Sequence, residues 1–294
     1  MATKRKRWLF IIKFSIAIIC IVSLFVGGYF VLDKKIVPKY FGEYGINSMG
    51  ELVGMMTTLY SSPNENKLVT NGFTELDTNS AEDKLKNIFP TESNSDELDY
   101  NAIYEGKTKE GVVGPTTLDF SDKELASIVN KMLELGFLAK KLPNLEYINT
   151  LKINILELTI TPEDLASGFN PDSANIHAIF KFDTTDVCAQ MASETGTAPY
   201  LLEMIMPKTM YITINYHLEI LDEGWVYSDG NISVNGKTSK QSQILLDLLI
   251  SFIFPPEDNM NTQKLTTEFG NILQSGLDLL GEAEYIENGI VVTI

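Results

Sequence analysis

Nineteen consecutive residues without a charge, Phe14–Leu32 (FSIAIICIVSLFVGGYFVL), set the first constraint on the fold. A helix over this run, at about 1.5 Å per residue, covers roughly 28 Å, the hydrocarbon thickness of a bilayer. Lys4, Arg5, Lys6 and Arg7 precede it, and Lys13 sits at its start, where its stem can reach the headgroups. The run therefore reads as a transmembrane helix, with residues 1–13 as a basic tail. Gly27 and Gly28 before Tyr29 suit a signal peptidase, but the run is long for a leader, so an uncleaved anchor is expected. Bulky Ile19 before Cys20 argues against lipidation there.

Charge then fixes the orientation. The 294 residues carry a formal net charge of −16. The first 39 hold eight basic side chains against Asp33, or +7, so the remainder carries about −23. Five of those eight lie before the run, which places the N-terminus in the cytoplasm and the large domain outside the cell membrane, as a single-pass protein. The acidic domain repels nucleic acid, and no nucleic-acid partner is expected. Both arginines, Arg5 and Arg7, lie in the tail, so the domain has no guanidinium fork for phosphate or carboxylate. Cys188 is its only cysteine, so a packed core and not a disulfide must hold it together. An apolar content of 44% is sufficient for such a core.

After the exit at 33–45, Ser48-x-x-Glu51 is a capping box, and Leu52, Met55, Met56 and Leu59 recur at helical spacing, predicting a helix over 49–60. A short helix is expected at 81–89, capped by Ser80, with Leu85, Ile88 and Phe89 on one face. The acidic run 91–99 lacks the spacing and central glycine of a calcium loop and reads as a solvated loop, as does 105–111. Residues 33–117 thus form a membrane-proximal helical and loop region, either an addition or the start of the same domain.

The segment 118–294 is more regular. Ser121-x-x-Glu124, with Phe120 and Leu125 as a hydrophobic staple, starts a helix expected over 122–140. Residues 145–160 read as a strand whose alternation slips at Ile155-Leu156, the mark of a bulge or of two-sided burial. Thr161-Pro162 reads as a short helix start, and 175–185 as a strand with Ile176, Ala178, Phe180 and Phe182 on one face. A short apolar helix is expected at 199–206. In Thr209–Leu221, Met210, Ile212, Ile214, Tyr216, Leu218 and Ile220 alternate strictly with polar or tyrosyl positions, predicting a long curved strand. Trp225–Tyr227 and Ile232–Val234 return antiparallel to it. Apolar stripes predict helices over 240–254 and 262–280, and Asn288-Gly289 turns the chain into a last strand.

No nucleophile elbow, phosphate loop, dinucleotide fingerprint, CxxC or HExxH occurs, so no enzyme activity, cofactor or metal is expected. His217 and Glu219 lie two apart beside Asn215 and read as a solvent-facing pair and not as metal ligands. Asn231-Ile232-Ser233 fits the glycosylation pattern. What remains is apolar surface. It either closes on itself as a common core or leaves an elongated groove for an acyl chain. The candidate lining of such a groove is Ile212, Ile214, Tyr216 and Leu218 with Phe269, Ile272, Leu273 and Leu277.

The order LDFSDKELASIVNKML, LKINILELTITPEDLA, PKTMYITINYHLEI, ISVNG, paired apolar helices and GIVVTI resembles the membrane-anchored bacterial branch of the tubular lipid-binding (TULIP) superfamily. The resemblance lies in element order and apolar pattern, over Leu118–Ile294, roughly 60% of the chain, and carries over no binding residue. It implies an α+β domain whose long, curved antiparallel sheet wraps amphipathic helices around a lipid-sized tunnel. The expected function is an envelope protein that binds lipid or another apolar ligand. The alternative is a scaffold of the same fold, solid inside, that docks on another membrane or cell-wall protein.

Overall fold

The structure is a computed structural model that describes residues 32–42, 46–60, 64–112, 115–141, 149–165, 168–196, 207–221, 224–236, 246, 282–286 and 288–293. The apolar run 14–31, the expected helix at 199–206 and all but Leu246 of the two C-terminal apolar helices lie outside these residues. Among the described residues, no helix is long and apolar enough to cross a membrane.

The fold is α+β, built on a four-stranded antiparallel sheet in the order β2-β3-β4-β5. Its strands are β2 (Lys152–Leu165), β3 (Gly168–Asp183), β4 (Thr209–Leu221) and β5 (Gly224–Val234). A second, three-stranded antiparallel sheet sets β7 (Gly289–Thr293) between β1 (Thr117–Ser121) and β6 (Glu282–Ile286). β6 lies against β3 and β2. The strand β4 spans the residues that the alternation predicts, and β5 pairs with it as expected. β3 starts earlier than its apolar pattern, at Gly168.

Chain entry is compact. Leu32–Ile36 makes a π-helical turn that runs into α1 (Val37–Phe41), and α2 (Met49–Tyr60) follows. Ser48 Oγ accepts the Glu51 N–H at 3.2 Å, while the Glu51 carboxylate takes the Asn47 N–H at 2.6 Å. Asp33 accepts the Met49 N–H at 2.7 Å and ties the entry to α2. Next come α3 (Glu65–Leu68), α4 (Glu75–Leu85) and α5 (Tyr100–Tyr104).

Three expected boundaries move, each for a local reason. The helix expected at 81–89 runs instead over Glu75–Leu85, because Asp77 accepts both the N–H and the hydroxyl of Thr74 at 2.7 Å and starts it a turn and a half early. Ser80 is then mid-helix, although Leu85, Ile88 and Phe89 are buried together as expected. The helix expected over 122–140 divides into α6 (Asp122–Glu134) and α7 (Phe137–Lys141), because Gly136 takes a φ of 74°. Thr161-Pro162 starts no helix. β2 continues through it to Leu165, and its register shifts after Pro162. Proline is tolerated there because β2 is an edge strand of its sheet and a bulge follows. The slip expected at Ile155-Leu156 is a register shift between Ile155 and Glu157.

One continuous apolar cluster runs from Val37 through Ile46, Met49, Leu85 and Ile103 to Phe120, Leu125, the sheet and Val292. A helix absent from the sequence reading, α8 (Thr185–Thr195), adds Val187, Cys188, Met191 and Ala192 to it. The Cys188 side chain is buried there.

Candidate functional site

The inner face of the four-stranded sheet is apolar across its whole width. Ile212, Ile214, Tyr216 and Leu218 lie in a row on β4 and are at most 2% exposed. Across the ladder, Phe180 stands opposite Ile212, Ala178 opposite Ile214, Ile176 opposite Tyr216 and Ala174 opposite Leu218. The next strand continues the rows with Ile155, Leu158 and Ile160, and β5 contributes Val234 and Ile232. The structure thus brings together the four β4 positions of the expected lining and buries them. Phe269, Ile272, Leu273 and Leu277 lie outside the described residues. Leu246, from the expected helix 240–254, is helical, buried and part of the same cluster.

The outer face is polar and is crossed at one end by residues 64–72. Glu65, at the start of α3, accepts the Lys181 ammonium and the Tyr211 hydroxyl, both at 2.8 Å. Those hydrogen bonds, Lys181 first, hold the Glu65 carboxyl below its ordinary value. Further on, Glu157 of β2 accepts the backbone N–H groups of Thr70 at 2.6 Å and Asn71 at 3.0 Å, with the Thr70 hydroxyl at 3.2 Å. A Cβ on Gly236, after β5, would lie 3.1 Å from Leu68 Cδ2, a tight contact, and the φ of 72° there favours glycine. This strap explains why four outward-facing residues, Glu157, Ile179, Tyr211 and Ser233, are buried.

Beyond the strap the outer face is open. Asn175-x-His177 on β3 and Asn215-x-His217 on β4 run antiparallel, so each histidine meets the other strand's asparagine. His177 Nδ1 lies 2.7 Å from Asn215 Oδ1, and His217 Nδ1 lies 3.2 Å from Asn175 Oδ1. His217 Nε2 also sits 3.3 Å from Glu219 Oε1 and 3.3 Å from the Ser173 hydroxyl. Among the described residues, no group of three or more His, Cys, Asp or Glu side chains is placed to hold a metal. The side chains of His217 and Glu219 are 24% and 47% exposed. The repeated Asn-x-His could have been read from the sequence as a cross-strand pair.

Two buried acids at the start of α6 contrast sharply. Glu124 is saturated: Ser80 donates at 2.6 Å, Lys84 at 2.8 Å and the Ser121 N–H at 2.8 Å. Burial alone would push its carboxyl up, and these donors hold it below its ordinary value. Asp122 accepts the Ile160 N–H at 3.1 Å through Oδ1, while Oδ2 has no partner. Burial pushes this carboxyl up to about 6. Comparison with protein-family models, with curated proteins and with solved structures finds no match to this chain.

Proposed function

We propose that this chain is a single-pass envelope protein, anchored by Phe14–Leu32 with its N-terminus inside, whose extracytoplasmic domain binds a lipid or other apolar ligand. On this reading the long antiparallel sheet curves around the C-terminal amphipathic helices in the manner of the tubular lipid-binding proteins. The observation that carries it is the inner face of the sheet, apolar over four strands and free of charge from Met210 to Leu218. The three register shifts, two between β2 and β3 and one between β4 and β5, support the curvature, because a bulge bends its strand and adds twist. Ligand binding would rest on burial, at about 25 cal/mol per Å² before entropic costs. Ile212, Ile214, Tyr216 and Leu218 would line the groove on the sheet side, and Phe269, Ile272, Leu273 and Leu277 on the helix side.

The scaffold reading has its own observation. The four β4 side chains are already 0–2% exposed within the chain itself, as expected of a solid core. On that reading the domain docks on another envelope protein through its surface, and no lipid is held.

Lipid mass spectrometry separates the two. The chain from residue 33 onward, which keeps buried Val37, is purified without detergent and extracted. A stoichiometric, reproducible lipid is expected. A folded, monodisperse protein that yields none sinks the lipid reading and leaves the scaffold, to be pursued by crosslinking in intact cells.

A further inference from the structure

Three elements meet at Asp122. It is the first residue of α6, its N–H donates to the Asn288 carbonyl at 2.9 Å, and its Oδ1 accepts from Ile160 on the open edge of β2. Asn288 forms the turn of the β6–β7 hairpin with a φ of 61°. That hairpin presses hard on the junction, since a Cβ on Gly289 would come within 2.1 Å of the Phe120 carbonyl oxygen. One residue therefore links the three elements, its carboxyl reaching the four-stranded sheet and its backbone N–H the hairpin of the three-stranded sheet. It is 2% exposed, and one of its two carboxyl oxygens makes no hydrogen bond.

Among the described residues no cationic side chain pairs with a charge at this point, and only the N-terminal dipole of α6 and one N–H favour it. Lys84 of α4 is taken by the Glu124 carboxylate and by the Asp119 carbonyl at 2.7 Å. Lys123, the next residue, acts on Asp77 of α4 and favours that charge. Glu124 on the same helix and Asp119 on β1 are acids, and so is exposed Glu163 on β2. On β7 and its turn the described residues Asn288–Thr293 carry no charge. The Ile160 N–H is the one donor that favours the ionised form, and burial outweighs it.

We propose that Asp122 is a proton-operated clasp: neutral, it holds α6 and the β6–β7 hairpin against the edge of the four-stranded sheet, and ionised, it loosens all three. The folded state keeps a proton that the unfolded chain gives up, so the junction tightens as pH falls from neutral through about 6. Opening would bare the edge of β2 at Ile160 and detach β7 from β1, and it leaves the β4–β5 pairing alone.

Amide hydrogen exchange on the full chain tests this, comparing wild type with Asp122→Asn at pH 5 and pH 7.5 after correction for intrinsic rates. Asparagine keeps Oδ1 for Ile160 and cannot ionise. The expected result is at least tenfold more protection of Ile160 and of residues 289–293 at pH 5 than at pH 7.5 in wild type. Ile214 is expected to be unchanged, and the variant to show the same protection at both pH values, at or above that of wild type at pH 5. Wild-type protection that does not change between the two pH values overturns the proposal, whether or not the variant folds. So does a change that extends equally to Ile214, or a folded variant that keeps the wild-type pH dependence.

Discussion

Asn130 Oδ1 accepts the Ile155 N–H at 3.1 Å along the edge of β2 that no described strand pairs with. Asp122 does the same for Ile160, eight residues earlier on α6 and five later on β2, so the helix runs antiparallel to the strand. Two side-chain acceptors thus replace a neighbouring strand, and the edge is closed to pairing with another chain. Asn130→Ala leaves a donor at fully buried Ile155 without a partner. The expected loss is about 1–3 kcal/mol in a denaturant titration, and an unchanged midpoint would show the edge bond to be idle.

The strap depends on a carboxylate with no cationic partner among the described residues. Glu157 is 3% exposed and is held by two backbone N–H groups and a hydroxyl. Glu157→Ala removes all three bonds and should cost about 3 kcal/mol. Glu157→Gln keeps an acceptor oxygen and should cost less. Limited proteolysis within residues 64–72 reads out the release, and equal cutting in wild type and Glu157→Ala would place the hold on the strap elsewhere.

The other end of the strap gives a pH dependence of known sign. The Glu65 carboxyl is lowered in the folded state by Lys181 and Tyr211, so its contribution is present above its ordinary value of 4.5 and is lost as pH falls through the folded one. Both side chains of this ion pair are more than a third exposed, so solvent screens it and it is worth about 1 kcal/mol or less. Proteolysis of residues 64–72 should therefore rise below about pH 4, and Glu65→Gln should abolish most of that rise. A rise of equal size in the variant would assign it to other acids.

Asp122 acts in the opposite direction. Its carboxyl is raised from 3.8 to about 6, so the stability it allows at low pH is lost as pH rises through that window. About two units correspond to roughly 3 kcal/mol as an upper figure. Asp122→Asn should match wild type near pH 4 and be more stable at pH 7.5, by a margin up to that size. Urea titrations at the two pH values measure it. A variant less stable than wild type at pH 7.5 would mean that the charge is compensated in place.

Legibility followed the reach of each interaction. β4 is readable because the twelve residues Thr209–Ile220 alternate, and Ser121-x-x-Glu124 is readable because a capping box is local. The bulge at Ile155 left its trace as a phase slip. Pro162 misled, because Thr-Pro-Glu-Asp suits a helix start, and only the position of β2 at the edge of its sheet makes a proline acceptable there. Gly136 was passed over because the apolar spacing continues to Phe137 on its far side. Helix α8 left a signal in Val187, Cys188, Met191 and Ala192, which repeat at helical spacing. The strap left none: Glu65 and Tyr211 are 146 residues apart, and the residues that make it are polar ones that any loop carries. On the inner face, the four β4 positions were legible from alternation alone. Whether that face closes on protein or on a ligand is not something that alternation in β4 can encode.

The place of β7 in its sheet also governs the timing of assembly. It is the last strand in the chain and the central one of three, with Asp119 paired to Val291 on one side and Glu284 to Val291 on the other. During synthesis β1 and α6 emerge with Phe120 in need of cover and wait for its partner Ile290, far along the chain. Contacts between positions so far apart in the chain form slowly. A chain released before Gly289 would hold β1 and β6 with nothing between them, exposing an unpaired edge beside an uncovered Phe120. A chain cut before β7 should therefore be more open to chaperones and proteases.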